Sequence, residues 1–101
     1  LQLQEACCRL GIPMVHGAIA GFSGQVTTVF PGDAGLRLLY PDGGDRGIER
    51  VTGNPAATPA LVAALEVAEV VKLLTGLGEP LRNRLLFLDT ETNTFELTEL
   101  G

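Results

Sequence analysis

The sequence predicts an α/β domain in the order helix, strand, strand, long loop, helix, strand, strand, with a mixed or antiparallel sheet and one buried helix. Three observations carry that prediction. An apolar stretch over residues 60–75 is preceded by Thr58 and Pro59 and followed by Gly76, which matches the residues that start and stop helices. Residues 25–30, Gln-Val-Thr-Thr-Val-Phe, are β-branched and aromatic and close on the turn Pro31-Gly32-Asp33. Residues 94–100 alternate between apolar and polar, as a strand with one covered face does.

Taken in order, Leu3, Ala6, Cys7 and Leu10 recur at helical spacing, and Gly11 with Pro13 ends that helix near Leu10. Residues 14–20, Met-Val-His-Gly-Ala-Ile-Ala, are apolar on both faces and read as an inner strand of a covered sheet. The second strand follows Gly21-Phe22-Ser23-Gly24. Residues 41–59 are rich in Gly, Pro, Asp and Asn and lack a core pattern, so they read as a long functional loop. In the helix of residues 60–75, Ala60, Ala63, Ala64, Val67, Val71 and Leu74 share one face that Leu61, Leu65 and Ala68 widen, which predicts burial on more than one side. Residues 84–89 and 94–100 form the closing hairpin across the polar turn Thr90-Glu91-Thr92-Asn93.

The chain has 101 residues, enough for one small domain, and a formal charge of −5 from seven Lys and Arg against twelve Asp and Glu. The basic residues are scattered and form no phosphate-neutralising stripe, which argues against nucleic acid. An acidic surface and the lack of any apolar run near the ~20 residues of a span argue against a membrane. Adjacent Cys7 and Cys8 do not suit a secreted disulfide framework, so a reduced, cytoplasmic setting is expected. The chain opens directly on a helical pattern, as a fragment of a longer protein would.

The residues that could carry chemistry have structural readings that outweigh the chemical ones. Gly17, Gly21 and Gly24 do not open a helix as a phosphate cradle must, and tight backbone packing or a hairpin bend is the expected role. His16 reads as a buried core histidine, and Cys7 and Cys8 as plain helical core. Glu66 and Glu69 share a helix face, which suggests paired carboxylates, but Glu69 with Lys72 is expected to be a surface or interface ion pair. Two adjacent cysteines and one histidine supply no metal site. No complete catalytic constellation is present, so no residue is assigned a catalytic or cofactor-binding role.

Three stretches together resemble the C-terminal half of the ThiF/MoeB/HesA family, the bacterial relatives of ubiquitin-activating enzymes. They are Gln4-Glu5-Ala6-Cys7 through Gly11-Ile12-Pro13-Met14-Val15 and on to Gly24-Gln25-Val26, then Glu69-Val70-Val71-Lys72-Leu73-Leu74-Thr75-Gly76, then Leu86-Phe87-Leu88-Asp89 with Phe95-Glu96-Leu97. The resemblance implies the C-terminal part of a Rossmann-like fold over residues 1–101, with residues 41–59 as its crossover loop. It implies a parent protein that uses ATP and Mg²⁺ to adenylate the C-terminal glycine of a ubiquitin-like sulfur-carrier protein and that works as a homodimer.

Within that resemblance, the nucleotide and metal residues of the family precede the start of this chain, so ATP binding falls outside it. The first zinc-binding Cys-x-x-Cys pair would fall on Gly35 and Leu38, and residues 41–59 hold no cysteine for a thioester or persulfide. The family's crossover loop covers the carrier's extended tail, and the tail-facing candidates are Gly21, Phe22, Gly24 and Gln25. This chain would then serve acceptor recognition and dimerisation. The alternative is a dimerisation or protein-docking module without chemistry.

Overall fold

A computed structural model describes residues 2–33 and 57–100. Its elements are α1 (Gln2–Leu10), β1 (Met14–Ala20), β2 (Ser23–Val29), α2 (Ala57–Thr75), β3 (Arg84–Asp89) and β4 (Thr94–Glu99). The strands form one sheet in the order β1-β2-β3-β4 with every neighbour antiparallel. The antiparallel form of the expected sheet is therefore the one adopted. Residues 34–56, which include Gly35, Leu38 and most of the expected crossover loop, lie outside the described residues.

Each element stops where its sequence stops it. Gly11 takes φ +71° after α1, and Gly76 takes φ +73° after α2 while its N–H returns to the Lys72 carbonyl at 2.9 Å. The β3–β4 turn ends on Asn93 at φ +58°, the left-handed conformation that asparagine tolerates.

Residues opposite one another in antiparallel strands share a face, so register separates the two sides of the sheet. Ile19, Gly24, Leu88 and Phe95 form one row, and Gly17, Val26, Leu86 and Leu97 the next, all on the side of α2. Val26, Leu88, Leu81 and Val62 of α2 make the main core there, with Val15, Ile19, Leu61, Leu65 and Leu86 packed around it. On the opposite face Cys7 of α1 packs against Met14 and Val29.

Two expectations about helices are corrected. On α1 the residue taken into the protein is Gln4, while Leu3 and Leu10 are exposed, because the helix docks along the Gln4 and Cys7 side. On α2 the sheet receives Thr58, Val62 and Glu69, whereas Ala60, Ala63, Ala64, Val67, Val71 and Leu74 are exposed. Within this chain α2 is buried on one side, and its most apolar side faces outward. The helix also starts earlier than Pro59 suggests. Thr58 lies inside the first turn with no exposed surface, and proline is tolerated there because first-turn N–H groups have no partner within the helix. Strand β2 begins at Ser23, directly after the turn, and ends at Val29, where the Asp33 N–H bonds the Phe30 carbonyl at 3.0 Å and bends the chain away.

Candidate functional site

Three connections meet at one end of the sheet. The β1–β2 turn consists of Gly21 and Phe22, with Gly21 at φ +61°, the conformation that a glycine-first two-residue hairpin requires. The Phe22 carbonyl accepts two bonds from Thr90 of the β3–β4 turn, from N–H at 2.9 Å and from the hydroxyl at 3.1 Å. A threonine hydroxyl has one hydrogen, so the Thr58–Thr90 contact at 3.3 Å has Thr58 as donor. The β1–β2 turn, the β3–β4 turn and the start of α2 are thereby joined through one carbonyl. Phe22 itself is 45% exposed.

The structure places the four tail-facing candidates in three different settings. Gly21 and Phe22 lie on the turn. Gln25 is half-buried on the face away from α2, between Ala18 and Phe87 in register. Gly24 is buried on the α2 side, where a Cβ would lie 2.6 Å from Val62 Cγ2 and 3.3 Å from Leu88 Cδ1. Its missing side chain lets α2 approach β2, which is the tight packing expected for these glycines. Gly24→Ala is accordingly expected to cost about 1–3 kcal/mol by overpacking, measured by urea unfolding.

Gly17 is also turned toward α2, where a Cβ would come within 2.6–2.9 Å of the Glu66 carboxylate. With Gly17 and Gly24 serving helix packing and Gly21 a hairpin, these glycines offer no row of free N–H groups at a helix start. The residues of this segment do not fit a nucleotide phosphate.

Glu69 is the feature that the sequence understated. It is 2% exposed, and its Oε1 accepts the Leu81 N–H at 2.6 Å and the Thr28 hydroxyl at 2.7 Å. Its Oε2 pairs with Lys72, whose ammonium also donates to the Glu79 carbonyl at 3.0 Å. The expected surface or interface ion pair exists, but its carboxylate is buried within the chain and serves as an anchor. Burial alone would push the Glu69 carboxyl up, yet the Leu81 amide, Lys72 and Thr28 outweigh it and hold the carboxyl below its ordinary value of 4.5. Thr27 adds a bond from its hydroxyl to the Arg84 carbonyl at 2.6 Å, and the Thr28 N–H reaches the Leu81 carbonyl at 3.2 Å. The connection from α2 to β3 is strapped onto β2 by these groups. It is further tied by Arg82, which grips Asp33 at 3.0 and 3.1 Å and covers the Phe30 ring.

Such a sheet end, closed by two turns and a helix start, offers a surface for a partner. Comparison with known proteins agrees with the resemblance in sequence, since the ThiF family matches residues 1–101. The chain belongs to the ThiF family.

Among relatives of this ThiF-family chain, the SAMP-activating enzyme E1 of Haloferax volcanii is 40% identical over 97 residues, which are 93% of this chain and 36% of that protein. Protein HesA of Leptolyngbya boryana is 40% identical over 90 residues, 86% of this chain and 31% of that protein. The adenylyltransferase and sulfurtransferase MOCS3 of Drosophila grimshawi is 33% identical, covering 92% of this chain and 22% of that protein. The chain thus spans about a third or less of the length of these relatives. Among solved structures, E. coli MccB with AMPCPP and MccA superposes with a TM-score of 0.72 at 16% identity, over 98% of this chain and 32% of that one. That likeness shows a shared fold.

Proposed function

We propose that this chain is the acceptor-recognition part of a ThiF-family protein that adenylates the C-terminal carboxylate of a ubiquitin-like sulfur-carrier protein. ATP and Mg²⁺ are held by residues outside this chain. The names of the relatives, an E1 activating enzyme and an adenylyltransferase, support the reaction class. The observation that carries the recognition role is the joined sheet end, where the exposed Phe22 ring stands on a carbonyl fixed by Thr90 and Thr58. An exposed aromatic on a turn whose backbone is held suits an extended tail, because little backbone ordering entropy remains to be lost on binding. Gly21 and Phe22 form the turn of that surface, Gln25 lies on its face, and Gly24 supports it from within.

The natural polypeptide that carries these residues is expected to exchange pyrophosphate into ATP only with a carrier ending in glycine. Phe22→Ala should raise the KM for the carrier about tenfold, the loss of one aromatic contact, and leave the KM for ATP unchanged. An equal rise in both would remove Phe22 from the tail site, and exchange without a carrier would remove the reading itself.

The outward apolar side of α2 favours a second reading, a docking module without chemistry. Carrier binding with no nucleotide dependence in the natural polypeptide would decide for it. Under the first reading the protein works as a homodimer in the reducing cytoplasm, where free Cys7 and Cys8 stay as thiols.

A further inference from the structure

The β3–β4 turn is braced by its own side chains. The Glu91 N–H donates to Asp89 Oδ1 at 2.9 Å, and the hydroxyls of Thr92 and Thr94 meet at 2.8 Å. Asp89 stands opposite both Ser23 and Thr94 in register, so this turn leaves the sheet level with the β1–β2 turn. Thr90 follows Asp89 directly and reaches across to the Phe22 carbonyl, 68 residues away in sequence. The receiving turn pivots on Gly21, which at φ +61° has no Cβ to oppose rotation. The Phe22 carbonyl belongs to the planar peptide that follows Phe22, so fixing its direction fixes the backbone from which that side chain leaves the turn.

Two donors fix that direction, and only one of them depends on a side chain. The Thr90 N–H, at 2.9 Å, would be supplied by any residue but proline, whereas the second bond, at 3.1 Å, needs a hydroxyl at position 90. Thr58 donates in turn to the Thr90 oxygen at 3.3 Å and has no exposed surface, so the Thr90 hydroxyl is oriented from α2 and polarised toward Phe22.

We infer that Thr90 is a positioning residue for the carrier's tail: its hydroxyl, backed by Thr58, holds the Phe22 carbonyl and so sets the direction in which Phe22 meets the tail. The inference rests on the tail site of the proposed function and adds the residue that orders it. Thr90 acts through Phe22 and needs no contact with the carrier. Its effect falls on carrier binding, because a turn already held in one form loses less freedom when the tail arrives. ATP, held outside this chain, is bound as before.

Pyrophosphate exchange by the natural polypeptide, with a ubiquitin-like carrier ending in Gly-Gly as the probe, tests this. Thr90→Val keeps the side-chain shape and removes the hydroxyl. It is expected to raise the KM for the carrier about fivefold, the effect of one hydrogen bond, with kcat and the KM for ATP unchanged. Thr90→Ser keeps the hydroxyl and should stay within about twofold of wild type. Thr90→Ala removes the same hydroxyl without putting a methyl group in its place, and should match Thr90→Val. Thr58→Val, one bond further back, should give a smaller rise of the same kind. In a Phe22→Ala background Thr90→Val should add nothing, since the side chain it positions is gone. Three results would overturn the positioning role and leave the tail site standing: Thr90→Val and Thr90→Ser alike in KM, a fall in kcat with both KM values raised, or a Thr90→Val effect that adds in full to that of Phe22→Ala. A carrier KM unmoved by Phe22→Ala would overturn the tail site and this inference with it.

Discussion

Replacing Glu69 with alanine is expected to lower the unfolding free energy by about 3–5 kcal/mol, the range found when one partner of a buried ion pair is removed. The substitution strands the Leu81 N–H and the Thr28 hydroxyl, both buried, and leaves Lys72 without its counter-charge. An unmade buried hydrogen bond costs more than a made one contributes, so the two orphaned donors account for much of the loss. In a domain of this size each 1 kcal/mol moves the midpoint by about 4–8 °C, and thermal unfolding should show a drop well above 10 °C. Glu69→Gln keeps an acceptor for both donors and should cost clearly less. The pH dependence separates charge from hydrogen bonding. The folded carboxyl lies below the ordinary value of 4.5, so its contribution is complete above 4.5 and is lost as pH falls through the folded value. The stabilities of wild type and Glu69→Gln should therefore converge in acid, separate as pH rises from the folded value to 4.5, and run parallel above it. Curves that run parallel from pH 2 to 7 would show that the charge of Glu69 contributes nothing.

Little of that anchor was legible in the sequence. A glutamate three residues before a lysine on a helix reads as a solvated pair, and nothing local indicates that its other partners stand 12 and 41 residues away. The same holds for Thr58. A threonine ahead of a proline and an apolar run looks like a helix cap, but its hydroxyl is directed to Thr90, 32 residues on. What depends on neighbours in the chain was readable. The stops at Gly11 and Gly76 and the β3–β4 hairpin follow from turn residues and alternation, whereas β1, apolar on both faces and read as an inner strand, stands at the edge of the sheet among the described residues. Apolar spacing located α2 without saying which side enters the core, because the helix is apolar nearly all round and the choice is made by Glu69 and its distant partners. For the candidate site, glycine marked the Gly21 turn correctly. It could not distinguish Gly24, where the space is taken by Val62, from a glycine open to a passing tail.

Leu88→Ala is expected to cost about 4 kcal/mol, in the upper part of the range for buried leucines. That range reflects how far surroundings close over the vacated space, and here they close little. Leu88 has no exposed surface and lies opposite Gly24 in the sheet, where no side chain can swing inward, with Val62 of α2 in the same core. Its other cross-strand neighbour, Phe95, is 55% exposed, and Phe95→Ala should cost only about 1 kcal/mol. The contrast between two large side chains on the same face locates the core under α2 and sets β4 at its margin. A combined variant examines the packing more closely. With Leu88 shortened, Val62 gains room to yield to a methyl group at position 24, so Gly24→Ala and Leu88→Ala together should destabilise by about 1 kcal/mol less than their separate losses. Strict additivity in urea unfolding would mean that Val62 has no freedom to move, and that the strain at Gly24 belongs to the backbones of α2 and β2 rather than to this one contact.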